Sequence, residues 1–321
     1  MNTVVGIEKL GVLLLAFLID HMLGEPSAKV HPVVGMGKLV AALERRAPRD
    51  SKPGALLSGA VMTGLTVAAA GATSASADHW ASRLPFVLRT LVRAYLLKPT
   101  FAARALFTAV DQVRISLERG DLDQARTALQ SLVSRETSTL DAPLVAAAAI
   151  ESLAENTSDS IVAPVLAYLV AGLPGAYVYR AANTLDAMIG YRGRYEYLGK
   201  GAARLDDLLN LIPARLTAGI LILGAAVNGD QPAQALVIAC RDHAKTASPN
   251  AGWPMSAMAG ALGVQLEKVG QYRLGDAFRP AGEGDLWRAE RIVRTAIAIG
   301  LLAVIGGASL VATILSRGKP P

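Results

Sequence analysis

Three groups of polar residues, spaced as helices would space them and set between apolar runs, carry the chemistry open to this chain. Glu151, Glu155 and Asp159 fall at i, i+4 and i+8, which lines three carboxylates along one side of a helix. Like charges so placed repel unless a cation or arginines hold them. Such oxygens suit Mg²⁺, which takes one or two protein carboxylates and completes its shell with water and phosphates. They also serve as general acids or bases. The same spacing fits a solvated helix face, so both readings stand at this point.

Arg180, Asn183 and Asp186 follow at i, i+3 and i+6, with Tyr191, Arg192, Arg194, Tyr195 and Tyr197 just beyond. Guanidinium forks suit phosphate or carboxylate. Tyrosines and arginines also form belts at membrane surfaces, which is the reading for Arg194 and Tyr197. Asn183 and Asp186 in an apolar helix need polar partners. In RLDDLLNLIPAR, residues 204–215, a helical wheel sets Arg204, Asp206, Asp207 and Asn210 opposite Leu205, Leu208, Leu209 and Ile212. The apolar side is expected to pack and the polar side to face a cavity or water. The Asp206–Asp207 pair suggests metal binding, although an ordinary amphipathic helix reads the same way. SPNAGWP, residues 248–254, is a rigid turn that presents Ser248, Asn250 and backbone amides to a ligand, or else packs Trp253 as a plug.

Other devices are missing. No G-x-x-x-x-G-K-[ST], G-x-G-x-x-G, H-E-x-x-H or G-x-S-x-G segment occurs. His21, His31, His79 and His243 lie far apart without metal-ligand spacing, and Cys240 is the single cysteine, which excludes an intramolecular disulfide and a cysteine metal cage.

The elements that must position these groups belong to a membrane protein. Hydrophobic residues make up 52% and charged residues 18% of the 321, and mean hydropathy is +0.36, against a charged share of roughly a quarter in soluble domains. The net charge of +6 accompanies only 5% aromatics and no basic block, so basic loops beside membrane helices are expected and a nucleic-acid partner is not. Val4 to Leu23 reads as an N-terminal membrane helix or anchor, followed by a Pro- and Gly-rich loop. Lys29, Lys38, Arg45, Arg46, Arg49 and Lys52 place that loop and its continuation in the cytoplasm.

Gly54 to Ala77 is free of charge over about the ~20 residues needed to cross a bilayer, and is the clearest span. Leu84 to Val110 reads as an amphipathic helix pair at the interface, and Asp111 to Ser138 as lying outside the hydrocarbon. Ile161 to Tyr179 is a broken span or a re-entrant pair of half helices, with Pro164 and Pro174 as breakers. Leu211 to Val227 and Ile292 to Leu315 are further spans, and the stretch between them reads as polar loop and surface. The fold expected is all-α, a polytopic integral membrane protein with amphipathic and cytoplasmic helices, forming a single domain over residues 1–321 with roughly four to six spans by the ~20-residue criterion.

At these residues the chain resembles the adenosylcobinamide-phosphate synthase family of cobalamin biosynthesis, the CobD/CbiB family. The resemblance runs through D-x-x-x-G-E-P with HPV (residues 20–33), SRET (134–137), ESLAENTSDSIVAPV, YRAANTLDAMIGYR, RYEYLGKGAARLDDLLNLIPARLTA and SPNAGWPMSAMAGALGV, in the family's order over most of the chain. Ser134, Glu136 and Ser160 depart from the more usual Gly, Asp and Gly. The resemblance implies a multi-pass enzyme of the cytoplasmic membrane. It joins adenosylcobyric acid to (R)-1-aminopropan-2-ol O-phosphate, or to aminopropanol, through an amide bond, with ATP hydrolysed and Mg²⁺ bound.

On those motif positions the reaction's chemistry assigns Glu155, Asp159, Asp206 and Asp207 to Mg²⁺ or general-base duty, with Asp186 beside them as a catalytic candidate. Arg180, Arg192, Arg204, Arg215 and Lys200 are assigned to phosphate. Asn156, Asn183, Ser248 and Asn250, with Tyr191 and His31, are assigned to substrate positioning. The lipid bilayer and other membrane-associated corrinoid enzymes are the expected partners besides the substrates. The alternative is a non-enzymatic membrane protein, an AmpE-like sensor or a transporter, in which intramembrane polar groups line a path. Against it, the polar motifs cluster near helix ends and no half of the chain repeats the other.

Overall fold

The computed structural model describes residues 3–48, 51–191 and 193–317, without the side chains of 3–5, 7 and 308–317. In chain order the helices are α1 (Thr3–Leu23), α2 (Pro32–Glu44), α3 (Lys52–Ala81), α4 (Phe86–Leu97), α5 (Ala103–Glu118), α6 (Leu122–Leu129), α7 (Ala142–Thr157), α8 (Ala163–Ile189), α9 (Lys200–Leu209), α10 (Leu211–Asn228), α11 (Pro232–Asp242), α12 (Gly252–Leu262) and α13 (Glu283–Arg317). The strands β1 (Val264–Lys268), β2 (Tyr272–Leu274) and β3 (Arg279–Pro280) lie between α12 and α13. The chain is thus largely helical, as expected; the stretch read as loop and surface instead holds the buried helix α12 and, among the described residues, a small sheet. Two compact units divide it: one of Met1–Ala102, Ser160–Asn210 and Ala308–Pro321, the other of Ala103–Asp159 and Leu211–Gly307.

Helix starts follow their capping residues. Asp121 and Asp141 accept from the backbone N–H of Gln124 and Leu144, and Ser51 accepts from that of Gly54. Pro143 stands in the first turn of α7, where its missing N–H costs nothing.

In the first unit, α3 packs along α8 and α9. Val40, Met62, Leu185, Ile189, Leu198 and Ala202 form a buried cluster. Gly59 permits a close approach, since a Cβ there would lie 1.9 Å from the Leu198 carbonyl oxygen. The broken span expected over Ile161 to Tyr179 is present. A π-helical turn, Ser158–Val162, precedes α8, and α8 itself breaks at Ala171 and Gly172, the latter at φ +67° and ψ −157°, a region open essentially to glycine. The charges of α1 are held by partners. Glu8 pairs with Arg89 and Arg93 of α4 at 2.7 Å each, and Lys9 donates to the Leu169 carbonyl at 3.1 Å. Those two arginines, on the helix read as interfacial, close a cluster of charges with Glu8 and Asp78.

In the second unit, α12 is buried along nearly its whole length and lies against α11 and α10. A helix apolar all round must sit at the centre of its unit, and the small residues of α12 allow it: Gly260 stands where a Cβ would come within 2.5 Å of the Gln234 carbonyl. The sheet order is β2-β1-β3. β1 pairs antiparallel with β2, with Lys268 opposite Tyr272, and parallel with β3.

Among the described residues, three helical stretches are long and apolar enough to cross a membrane: Lys52–Ala81, Ala142–Ile189 and Leu211–Asn228. Leu57, Val61, Leu65, Val170, Leu223 and Val227 are exposed on them, apolar area that suits lipid contact. α1 is not in this set, because Glu8, Lys9 and Asp20 interrupt its apolar run. The helix expected over Ile292 to Leu315 forms within α13, whose last ten side chains are not described.

Candidate functional site

The expected site residues divide between the two units. In the first, α8 and α9 bring together Arg180, Asn183, Asp206 and Asn210. Arg180 Nη1 donates to Asn183 Oδ1 at 3.2 Å, and Asn183 Nδ2 donates to Asp206 Oδ1 at 3.4 Å. Asn210 Nδ2 donates to Asp206 Oδ2 at 2.9 Å, and the Tyr179 hydroxyl donates to Asn210 Oδ1 at 2.9 Å. Asn183 and Asp206 therefore supply each other's partners across two helices, which answers what an amide was doing in an apolar helix.

Asp207 stands beside Asp206, 3.9 Å from the guanidinium of Arg204. Burial raises the Asp206 carboxyl above the ordinary aspartate range, against the amides of Asn210 and Asn183; burial also raises Asp207, against Arg204. Lys200, in the first turn of α9, is exposed. Asp186 folds back over the end of α8, where a Cβ on Gly190 would come within 2.0 Å of its Oδ1.

The wheel of residues 204–215 follows the expectation only in part: Arg204 is exposed and Leu205 and Leu209 are half-buried, while other positions are reversed. Asn210 is 1% exposed while Leu208 and Ile212 are 64% and 68% exposed. Beside a bilayer, apolar side chains lose nothing by facing outward, whereas amides and carboxylates must find partners inside. Tyr191 is exposed, Arg192 lies outside the described residues, and Arg194 lies over the Tyr195 ring with its side chain 71% exposed, in keeping with a surface belt. His31, assigned to substrate positioning, caps α2 through Nδ1 and meets Glu25 at 2.8 Å through Nε2. Glu25 in turn meets the buried Lys98 at 2.6 Å.

In the second unit the carboxylate row of residues 151–159 is shorter than its spacing predicts. α7 ends at Thr157 and Asp159 lies in the π turn, so an α-helical wheel no longer places it beside the other two. Glu151 and Glu155 do share a face with Ala148 and Ser152, and this face lines a cleft of about 140 Å³ together with Leu132, Val133, Ser134, Arg135, Lys268 and Tyr272. Arg135 Nη2 donates to Glu151 Oε2 at 3.0 Å. Asn156 turns back within α7, donating to the Ser152 carbonyl at 3.0 Å.

Lys268 and Tyr272 escaped the sequence reading, and Arg135 was quoted only within SRET; the one available signal was the place of that segment in the resemblance. The turn of residues 248–254 is tightly built. Ser248 Oγ accepts from the N–H of Asn250 and Ala251, and Arg215 donates to Asn250 Oδ1 at 3.2 Å. Trp253 lies between the stacked His243 ring, 3.9 Å away, and Arg215, 5.1 Å away.

A bound Mg²⁺ is tested against the donors. No group of three or more His, Cys, Asp or Glu that would hold a metal stands together among the described residues. Each unit offers a carboxylate pair instead, Glu151 with Glu155 and Asp206 with Asp207. Such pairs fit an ion completed by phosphate and water and not a protein-built cage.

A profile for the CobD/Cbib protein family matches residues 13–299. The chain belongs to the CobD/CbiB family. It is 45% identical over 273 residues to the "Cobalamin biosynthesis protein CobD" of Dehalococcoides mccartyi, covering 85% of this chain and 89% of the relative. It is 43% identical over 279 residues to the "Probable cobalamin biosynthesis protein CobD" of Pyrococcus furiosus, covering 87% and 91%, and 40% identical over 289 residues to the CobD of Geobacter metallireducens, covering 86% and 89%. No solved structure matches the chain. Membership in the CobD/CbiB family lends no weight to the sensor or transporter alternative, since these relatives carry the name of a biosynthetic protein.

Proposed function

We propose that the chain acts in cobalamin biosynthesis as a membrane-bound, ATP-dependent amide ligase. It joins the free carboxylate of adenosylcobyric acid to the amine of (R)-1-aminopropan-2-ol O-phosphate or of aminopropanol. The observation that carries this reading is the α8–α9 cluster, in which a buried carboxylate held by two amides stands beside a second carboxylate that meets Arg204, with Arg180 on one of the amides.

A carboxylate is a poor electrophile because its charge is delocalised over two oxygens. Transfer of the γ-phosphoryl of ATP to one of those oxygens gives an acyl phosphate and ADP; attack by the amine then expels phosphate and leaves the amide. Lys200 and Arg204 hold phosphate oxygens as charge moves toward the acyl group, and Arg180 orients Asn183, which in turn fixes Asp206. Mg²⁺, when bound at Asp206 and Asp207, supplies charge neutralisation to the phosphates. The amine enters as an ammonium and must lose a proton before it attacks. A carboxylate of the site takes it. Glu155, Asp159 and Asp186 remain proposed carboxylates of the same reaction.

The test is product formation by the purified chain in detergent, with ATP, adenosylcobyric acid and the amine donor. Asp207→Asn is expected to abolish amide and ADP formation while expression and membrane insertion stay normal; Glu155→Gln is expected to do the same. Near-normal turnover in Asp207→Asn refutes its role, and no corrinoid-dependent ADP from the parent chain refutes the ligase reading.

A further inference from the structure

The cleft on α7 holds two buried polar atoms without a hydrogen-bond partner, and they are of opposite character. Glu151 Oε1 is an acceptor, on a side chain only 7% exposed, and Arg135 Nε is a donor. Their other atoms meet each other, Nη2 to Oε2, so the pair is anchored while one position on each remains open. Buried polar atoms left unsatisfied are costly, and such a group in a folded protein calls for an explanation. The Tyr272 hydroxyl meets the thioether of Met255 at 3.9 Å, a weak acceptor, and stands beside the Glu151 carboxyl.

The surroundings repeat the same duality. Glu155 lies one turn along α7 from Glu151, and Lys268 stands across from Tyr272 on the β1–β2 hairpin, with all of them lining the cleft. A purely cationic ligand satisfies the carboxylates but meets Arg135 and Lys268. A purely anionic one meets Glu151 and Glu155. Only a ligand with a donor-rich cation at one end and an acceptor-rich anion at the other satisfies every group. The volume of about 140 Å³ is near the ~150 Å³ of an engineered cavity that admits benzene, so the body of that ligand is about half a dozen heavy atoms.

We propose that this cleft is a binding site for a short zwitterion, a primary amine carrying an anionic group a few atoms away. On the ligase reading above, on which this last step rests, the ligand is the amine donor in its phosphorylated form. Glu151 and Glu155 receive the ammonium; Arg135 and Lys268 receive the phosphate, with the Tyr272 hydroxyl donating to it. The proton that leaves the ammonium passes to a carboxylate of the pair, giving neutral amine and carboxylic acid.

The test is calorimetric titration of the full chain in detergent with no nucleotide and no corrinoid present. The probes are (R)-1-aminopropan-2-ol O-phosphate, the free aminopropanol, and propyl phosphate. The zwitterion is expected to bind at least ten-fold tighter than either half. Lys268→Ala is expected to weaken the zwitterion by ten-fold or more while leaving free aminopropanol unchanged, and Glu151→Gln to weaken both amines. Because Glu151→Gln disturbs the anchored pair, Lys268→Ala, on the hairpin, is the decisive variant. Equal affinity for free and phosphorylated amine, or an unchanged affinity in Lys268→Ala, overturns the proposal. Lys268-dependent binding by a chain that forms no amide leaves the site standing and overturns the ligase reading; amide formation by Lys268→Ala at unchanged KM for the amine does the reverse.

Discussion

Replacing Lys98 with Met removes the cation at the centre of a buried ion cluster in the first unit. Lys98 follows α4, and its side chain is 2% exposed; Nζ stands 3.1 Å from Asp20 Oδ1 and 2.6 Å from Glu25 Oε1, with the Asp20 side chain 3% exposed. Met keeps the length and apolar stem of Lys but leaves the Asp20 carboxylate buried without its cation. Breaking a buried pair by removing one partner costs about 3–5 kcal/mol, because the remaining charge has lost its water and its counterion together. At roughly 2–4 °C per kcal/mol, thermal unfolding in detergent is expected to fall by about 6–20 °C. Asp20→Asn in the same chain is expected to restore most of this loss, since neutral groups in place of both ions need no counter-charge. A shift below about 2 °C for Lys98→Met, or a double variant no more stable than the single one, refutes the reasoning.

Gly59→Ala drives a methyl into the Leu198 carbonyl, so α3 must move from its place. A cost of about 1–3 kcal/mol is expected in the same unfolding assay, and a wild-type midpoint sinks the close-approach argument. Asp242 gives a pH-dependent signal. Its burial favours the neutral form, yet Arg241, Lys245 and the Gly275 N–H bring its carboxyl down to about 2 from the usual 3.8. The unfolded chain therefore binds a proton that the folded one does not, and this contribution to stability, complete above about pH 4, is lost as pH falls toward 2. Comparison of Asp242→Asn with the parent chain from pH 6 to pH 2 checks it, since the two profiles should converge at the acid end; a parallel offset rules it out.

What could be read from the chain divides along local and non-local lines. The charge-free run within α3 and the break before Pro174 depend on neighbours a few residues away, and both are where the sequence places them. Lys98 depends on Asp20 and Glu25, more than seventy residues back, and nothing near it reveals that it is buried. The cleft was half legible: Glu151 and Glu155 stood out by spacing, whereas Lys268 and Tyr272 are joined to them only through strands of five and three residues, too short for a period-two pattern to register. The orientation of residues 204–212 differs in part from the expectation for a solvent reason. A wheel says which side chains travel together, and whether that side turns inward depends on whether water or hydrocarbon lies outside.

The hydrogen bond from Lys9 to the Leu169 carbonyl ties the first helix of the chain to the broken helix α8. During synthesis Lys9 leaves the ribosome long before Leu169 is made, so for most of translation its ammonium has no carbonyl to meet. Assembly of this unit is therefore a matter of timing as well as of fit. The N-terminal helix must be kept within reach until α8 arrives, and the interruption in α8 gains this donor only when α1, made earlier, returns to it.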